Sequence, residues 1–180
     1  MKKLLVVVDM QNDFVDGALG SAAATAIVPA VIQKIEGWDG DIIATLDTHE
    51  ENYMNTREGK RLPVSHCVNG TYGHQLNKFV EAALVNAENA GKKTTIVMKP
   101  TFGSTALPEL IRDKGYDYIE LCGLCTSICV ISNALVLKAE YPEVDMAVDA
   151  ACCACVSEET HNAALTAMAT CQIDILNRAE

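Results

Sequence analysis

Hydrophobic residues in this chain come as short continuous runs alternating with longer stretches of helical period. The first run, Leu4-Leu5-Val6-Val7-Val8, is rich in β-branched residues and uninterrupted, as in a central strand covered on both faces. Polar residues enter abruptly at Asp9. Residues 23–36 carry helical spacing, closed by Gly37-Trp38-Asp39-Gly40. Further strands read at 41–46, 94–98, 118–122 and 145–148, with a short last one at 173–176. Further helices read at 75–89, 107–114, 131–137 and 158–170. Residues 50–73 show little periodicity, and so long a loop inside a compact domain is usually functional. The alternation predicts a single α/β domain over 1–180, three-layered α/β/α, with a mostly parallel, Rossmann-like central sheet of about six strands.

Composition narrows the function classes. With 180 residues, 49% of them hydrophobic, the chain supports one sizeable core. A net charge of −10 argues against nucleic acid or an anionic membrane as partner. No apolar run approaches the roughly 20 residues of a membrane span. Met1-Lys2-Lys3 opens like a signal peptide, but Asp9 ends the apolar run, no cleavage pattern follows, and Asp13 comes next. The expectation is a cytoplasmic protein. Its eight cysteines lack the short secreted frame of a disulfide scaffold and are expected as reduced thiols.

The chemistry collects at strand ends. Asp9, Asp47, Lys99 and the loop before Cys129 each follow a predicted strand, and in a parallel sheet those ends share one ligand-binding edge. Gly123 is expected to end the fourth strand, and Thr126 or Ser127 to cap the next helix. Cys129 then falls in a first helical turn, where free N–H groups and the helix dipole favour a thiolate; its bland alternative is a small core residue. Asp47-Thr48-His49 places two ligands on one side of a strand end, and His66 can complete a three-ligand face. Such a set suits Zn²⁺, with Fe²⁺ or Mn²⁺ as alternatives, and Glu58 is a candidate additional ligand. Cys122 and Cys125 form a C-x-x-C straddling the strand end. Cys152-Cys153-Ala154-Cys155 lacks the paired spacing of a zinc ribbon. These, with Cys67 and Cys171, are assigned to core filling over a metal cluster or redox switch. Asp149 is placed at the end of the fifth strand, His74 at a helix start and His161 on a helix; neither histidine receives a role.

Three blocks carry a family resemblance: Asp9-Met10-Gln11-Asn12-Asp13-Phe14, Lys99-Pro100-Thr101-Phe102-Gly103-Ser104 and Gly123-Leu124-Cys125-Thr126-Ser127-Ile128-Cys129-Val130. In their order and spacing over nearly the whole chain, they resemble the isochorismatase-like cysteine hydrolases, in the nicotinamidase-related branch. The resemblance implies a catalytic triad of Asp9, Lys99 and Cys129 and a cis peptide between Leu124 and Cys125. Backbone N–H groups of Cys125 and Cys129 would form the oxyanion hole, and Phe14 is assigned to the substrate pocket. It also implies a metal, zinc foremost, on Asp47, His49 and His66, binding the substrate's ring nitrogen and waters. The expected reaction is hydrolysis of a small carboxamide through a thioester acyl-enzyme, with nicotinamide the lead substrate. Isochorismatase or ureide and carbamoyl hydrolysis are alternatives on the same fold, as is a non-catalytic thiol-rich redox or metal-binding protein. Siderophore-type isochorismatases usually lack the cysteine, which favours C–N cleavage. The chain departs from nicotinamidases at Glu50-Glu51-Asn52-Tyr53, where they carry a further His and an aromatic residue, and at Leu62-Pro63-Val64-Ser65-His66, with one residue more between Pro and His. Homo-oligomers are common in the family; no interface is legible.

Overall fold

The computed structural model describes residues 1–179. Strands β1 (Lys3–Val8), β2 (Asp41–Asp47), β3 (Thr94–Lys99), β4 (Tyr118–Leu124), β5 (Asp145–Ala154) and β6 (Asp174–Leu176) form one parallel sheet in the order β3-β2-β1-β4-β5-β6. Helices α1 (Asn12–Val15), α2 (Ala22–Gly37), α3 (Arg57–Arg61), α4 (Lys78–Asn89), α5 (Ala106–Ile111), α6 (Ile131–Glu140) and α7 (Glu158–Thr170) connect them. The α2 and α4 crossovers step one way along the sheet; α6 and α7 step the other way. Right-handed crossovers therefore put the two sets on opposite faces. In keeping with this, α2 packs on α4, while α5, α6 and α7 pack in succession. Strand β1 sits between β2 and β4, and Leu4 to Val8 are wholly buried, which is why that run needs no alternation. The strand order reverses between β1 and β4, so the ligand crevice opens outside the ends of those two strands.

Two boundaries differ from the sequence pattern for reasons that matter to the site. Strand β4 does not break at Gly123; it runs to Leu124. Gly123 has φ +118°, and a Cβ there would meet the Val8 carbonyl oxygen at 2.1 Å, so glycine lets β4 press against the end of β1. Strand β5 likewise continues past Asp149. Its pairing with β4 jumps from Leu121↔Val148 to Gly123↔Cys153, so the extra residues form a bulge and the cysteine run re-enters the ladder. Asp149 is therefore internal, where with Glu120 it flanks Lys34 Nζ at 2.6 and 2.5 Å. The aperiodic stretch holds a one-turn 3₁₀ helix, Tyr53–Asn55, and α3. Helix α4 starts only at Lys78, because Asn77 Oδ1 accepts the Phe79 N–H.

Candidate active site and metal centre

Asp9 immediately follows β1 with φ +49°, a left-handed conformation uncommon for a residue with a side chain. Its place is fixed from β2: the Asp9 N–H donates to Thr45 O at 3.1 Å, and Thr45 Oγ1 donates to Asp9 Oδ1 at 2.6 Å. The other oxygen, Oδ2, lies 2.6 Å from Lys99 Nζ at the end of β3. That contact is an ion pair without a well-directed hydrogen bond to Oδ2, which leaves this oxygen a lone pair to offer. Lys99 Nζ also donates to Thr101 O at 3.1 Å and lies 3.5 Å from both Asp47 Oδ1 and Cys129 Sγ. The structure thus brings Asp9, Lys99 and Cys129 together from the ends of β1 and β3 and the turn after β4, all buried.

The electrostatics correct one expectation. Cys129 is not held as a free thiolate. Burial pushes its thiol well up, Asp9 adds to the shift, and Lys99 only partly opposes it. Burial also raises Asp9 above the ordinary carboxylate range, against the pull of Lys99. For Lys99 burial acts downward, but the Asp9 and Asp47 carboxylates outweigh it and secure the ammonium. Lys99 Nζ, 2.6 Å from Asp9 Oδ2 and 3.5 Å from Cys129 Sγ, holds the carboxylate and the thiol beside one another. A carboxylate facing a protonated thiol is the resting state of a general base and its nucleophile.

The turn that carries Cys129 is also not what the sequence suggests. The Leu124–Cys125 peptide is trans, as is every peptide bond among the described residues. The chain is turned instead by a π-helical turn, Thr126–Val130, whose Ile128 and Val130 N–H groups both donate to Cys125 O at 3.1 Å. Neither Thr126 nor Ser127 caps a helix. Thr126 Oγ1 is spent on Ala154 O at 3.0 Å and meets His161 Nδ1 at 2.8 Å. Asn133, in the first turn of α6, donates its Nδ2 to the Cys129 carbonyl at 2.8 Å.

Beside this cluster stand Asp47, His49, Glu58 and His66, with one ligand atom from each lying within 4.8 Å of the others. His66 Nδ1 meets Val64 O at 2.8 Å, which turns Nε2 toward the cluster. His49 Nε2 is buried with no hydrogen-bond partner, while lying 2.9 Å from Asp47 Oδ2 and 3.5 Å from Glu58 Oε1. Two imidazoles and two carboxylates, one imidazole nitrogen otherwise orphaned, fit a divalent cation. Burial disfavours the Asp47 carboxylate, but His49 and His66 outweigh it and hold Asp47 below its usual range.

Several supporting residues escaped the sequence reading. Gln11 Oε1 accepts the Asp47 N–H at 2.7 Å, and its Nε2 donates to Asp47 O and His74 O at 2.8 Å, clamping the ends of β1 and β2 together. Asp13 Oδ2 accepts the Cys67 N–H at 2.8 Å and anchors the loop that delivers His66. Tyr53 packs its ring 4.6 Å from His49 and 4.9 Å from His66. The recurrence of polar residues in the first block was the available signal for Gln11 and Asp13; nothing local marks Tyr53. His74 lies before α4 and meets Thr48 Oγ1 at 2.9 Å.

A cavity of about 470 Å³ joins the two clusters. Cys129 and Cys125 line it at one side and Asp47, Glu58 and His66 at the other; Phe14, Leu62, Phe102, Ile128 and Val156 supply apolar wall. This is room for a small, flat, mostly apolar molecule with one reactive polar group.

The isochorismatase domain family matches residues 3–180. The Bacillus subtilis (strain 168) isochorismatase family protein PncA is 30% identical over 146 residues, which span 75% of this chain and 78% of that protein. The crystal structure of the pyrazinamidase/nicotinamidase of Streptococcus mutans UA159 superposes with a TM-score of 0.83 at 27% identity, covering 97% of this chain and 100% of that one. The pyrazinamidase of Pyrococcus horikoshii, solved in complex with zinc, gives 0.74 at 25% identity, covering 99% and 100%.

Proposed function

Because the chain belongs to the isochorismatase family, we propose that it is a cysteine amidohydrolase that cleaves the C–N bond of a small aromatic carboxamide, nicotinamide foremost. The observation that carries this reading is the thiol of Cys129 set against Lys99 and Asp9 in the wall of a largely apolar cavity. Asp9 takes the thiol proton as sulfur attacks the carbonyl carbon, then gives it to the leaving amine, and ammonia departs. The product is a thioester on Cys129. Water, deprotonated by the same carboxylate, releases the acid. Lys99 stays cationic throughout and keeps Asp9 oriented.

The backbone N–H groups of Cys125 and Cys129 are assigned to the oxyanion; one such donor typically contributes about a hundredfold or more in rate. Phe14 and Phe102 wall the ring. Asp47, His49 and His66, with Glu58, are assigned to hold a divalent metal, zinc in the first instance. Bound there, the ion would take a ring nitrogen of the substrate as a ligand and carry waters in its open positions.

The test is ammonia release by the metal-loaded enzyme from nicotinamide, pyrazinamide and an aliphatic carboxamide of similar size. Turnover of the two aromatic amides, lost in Cys129→Ala, is expected. Turnover of none of the three, with metal content confirmed, would overturn the assignment.

A further inference from the structure

Two cysteines that the hydrolytic reaction leaves without side-chain work meet at the wall of the cavity. Strands β4 and β5 pair in parallel as Gly123↔Cys153 and Leu124↔Ala154, and because Cys125 keeps extended backbone, continuing that register by one step sets it beside Cys155. Paired strands lie about 4.8 Å apart, inside the roughly 4.4–6.8 Å between Cα atoms that a disulfide spans. The step also puts both side chains on the same side of the ladder, where Cys155 is near enough to raise the Cys125 thiol. Both line the cavity, so a small solute that reaches Cys129 reaches them.

Their surroundings differ in a way that gives each a role. Cys155 Sγ is flanked by two hydroxyls, Ser127 Oγ at 2.9 Å and Thr160 Oγ1 at 3.3 Å. Such donors stabilise sulfur's negative charge. Although burial opposes them, the donors hold the Cys155 thiol below its ordinary range. Burial and the neighbouring Cys155 push the Cys125 thiol up to about 12. One member of the pair is poised as an attacking thiolate, the other as a resolving thiol.

We propose that Cys155 and Cys125 form a peroxide-sensitive dithiol whose oxidation to a disulfide shuts the hydrolytic site. In the first step the Cys155 thiolate attacks a hydroperoxide: an S–O bond forms, the O–O bond breaks, and the departing oxygen takes a proton from solvent and leaves as alcohol or water. Sulfur is oxidised by two electrons and the peroxide is reduced. Cys125 then attacks the sulfenic sulfur; an S–S bond forms, the S–OH bond breaks, and water leaves with the Cys125 proton. The link draws on the residue whose carbonyl closes the π turn under Cys129 and whose N–H is assigned to the oxyanion. It also removes the thiolate that Ser127, within that turn, bonds. The inactivation half rests on the proposed amidase activity; the cross-link does not.

The test treats the full chain with hydrogen peroxide, follows ammonia release, and maps disulfides by mass spectrometry. A Cys125–Cys155 link is expected, with activity falling about tenfold or more and returning with dithiothreitol. Cys155→Ala, referenced to its own untreated activity, should form no link and lose activity about tenfold more slowly; Cys155→Ser, which keeps a hydrogen-bond acceptor, should behave alike if the alanine variant fails to fold. No Cys125–Cys155 link while other thiols oxidise would overturn the proposal, as would equally fast inactivation of the Cys155 variants. A link formed in a chain that releases no ammonia from any amide would instead support the dithiol and count against the amidase reading.

Discussion

At the scale of single residues, Asp9 decides most. Its left-handed backbone turns the carboxylate into the crevice, where Thr45 takes one oxygen and Lys99 faces the other. Asp9→Asn should therefore lower kcat by about 10²–10⁴ in steady-state rates, and because it leaves the buried Lys99 ammonium without its carboxylate it should also lower the midpoint of the melting curve. Its pH behaviour has a definite sign. The base form is the carboxylate, burial raises the pKa, and activity is lost as pH falls through that raised value. The acid limb of kcat/KM should lie above the ordinary carboxylate range. Thr45 favours the charged form, so Thr45→Val should move the limb to still higher pH; an unmoved limb would mean that another group sets it. Much of this was legible in sequence, because Asp9, Asp47 and Lys99 each punctuate the end of an apolar run. The Cys129 thiol was not, since its charge depends on how deeply it is buried and on the two carboxylates that neighbour it from other strands.

At the scale of elements, strand and helix existence followed the hydrophobic pattern closely, as in α7, which spans the expected 158–170. The irregularities did not. The bulge after Val148 and the π turn before α6 arise from how β4 packs on its neighbours, and no local periodicity encodes either. The bulge has an energetic consequence. It sets Asp149 in the interior with Glu120, and Lys34 from α2 is the cation that pairs with both. Removing one partner of a buried pair typically costs about 3–5 kcal/mol. Lys34→Met should destabilise by that order in urea titrations at neutral pH. Asp149 is held below its usual carboxylate range by Lys34 and Asn177, which outweigh burial. Its share of stability is present above the unfolded pKa and lost as pH falls through the folded one. The difference between wild type and Lys34→Met should therefore shrink in acid; a difference that grew in acid would contradict the pairing.

At the scale of the molecule, the switch in strand order between β1 and β4 makes one crevice, and the loop between β2 and β3 brings His49, Glu58 and His66 to Asp47 at its side. The sequence located Asp47, His49 and His66 by type and spacing, and Glu58 now stands beside them. Tyr53 remained illegible because its contact with both histidines is made across a loop. Removal of divalent metal by a chelator should lower both the melting temperature and the ammonia release, and readdition should restore both. Asp47→Ala should bind less metal per chain by elemental analysis. Full metal content in that variant would move the ion elsewhere.

The central claim is that the amide carbon passes through a covalent bond to Cys129, and partitioning with hydroxylamine tests it most directly. With nicotinamide as substrate, rising hydroxylamine should divert product from nicotinate to the hydroxamate without slowing ammonia release, and Cys129→Ala should form neither product. Steady nicotinate with no hydroxamate at any hydroxylamine concentration would mean that water attacks the amide directly, and the covalent account would fall.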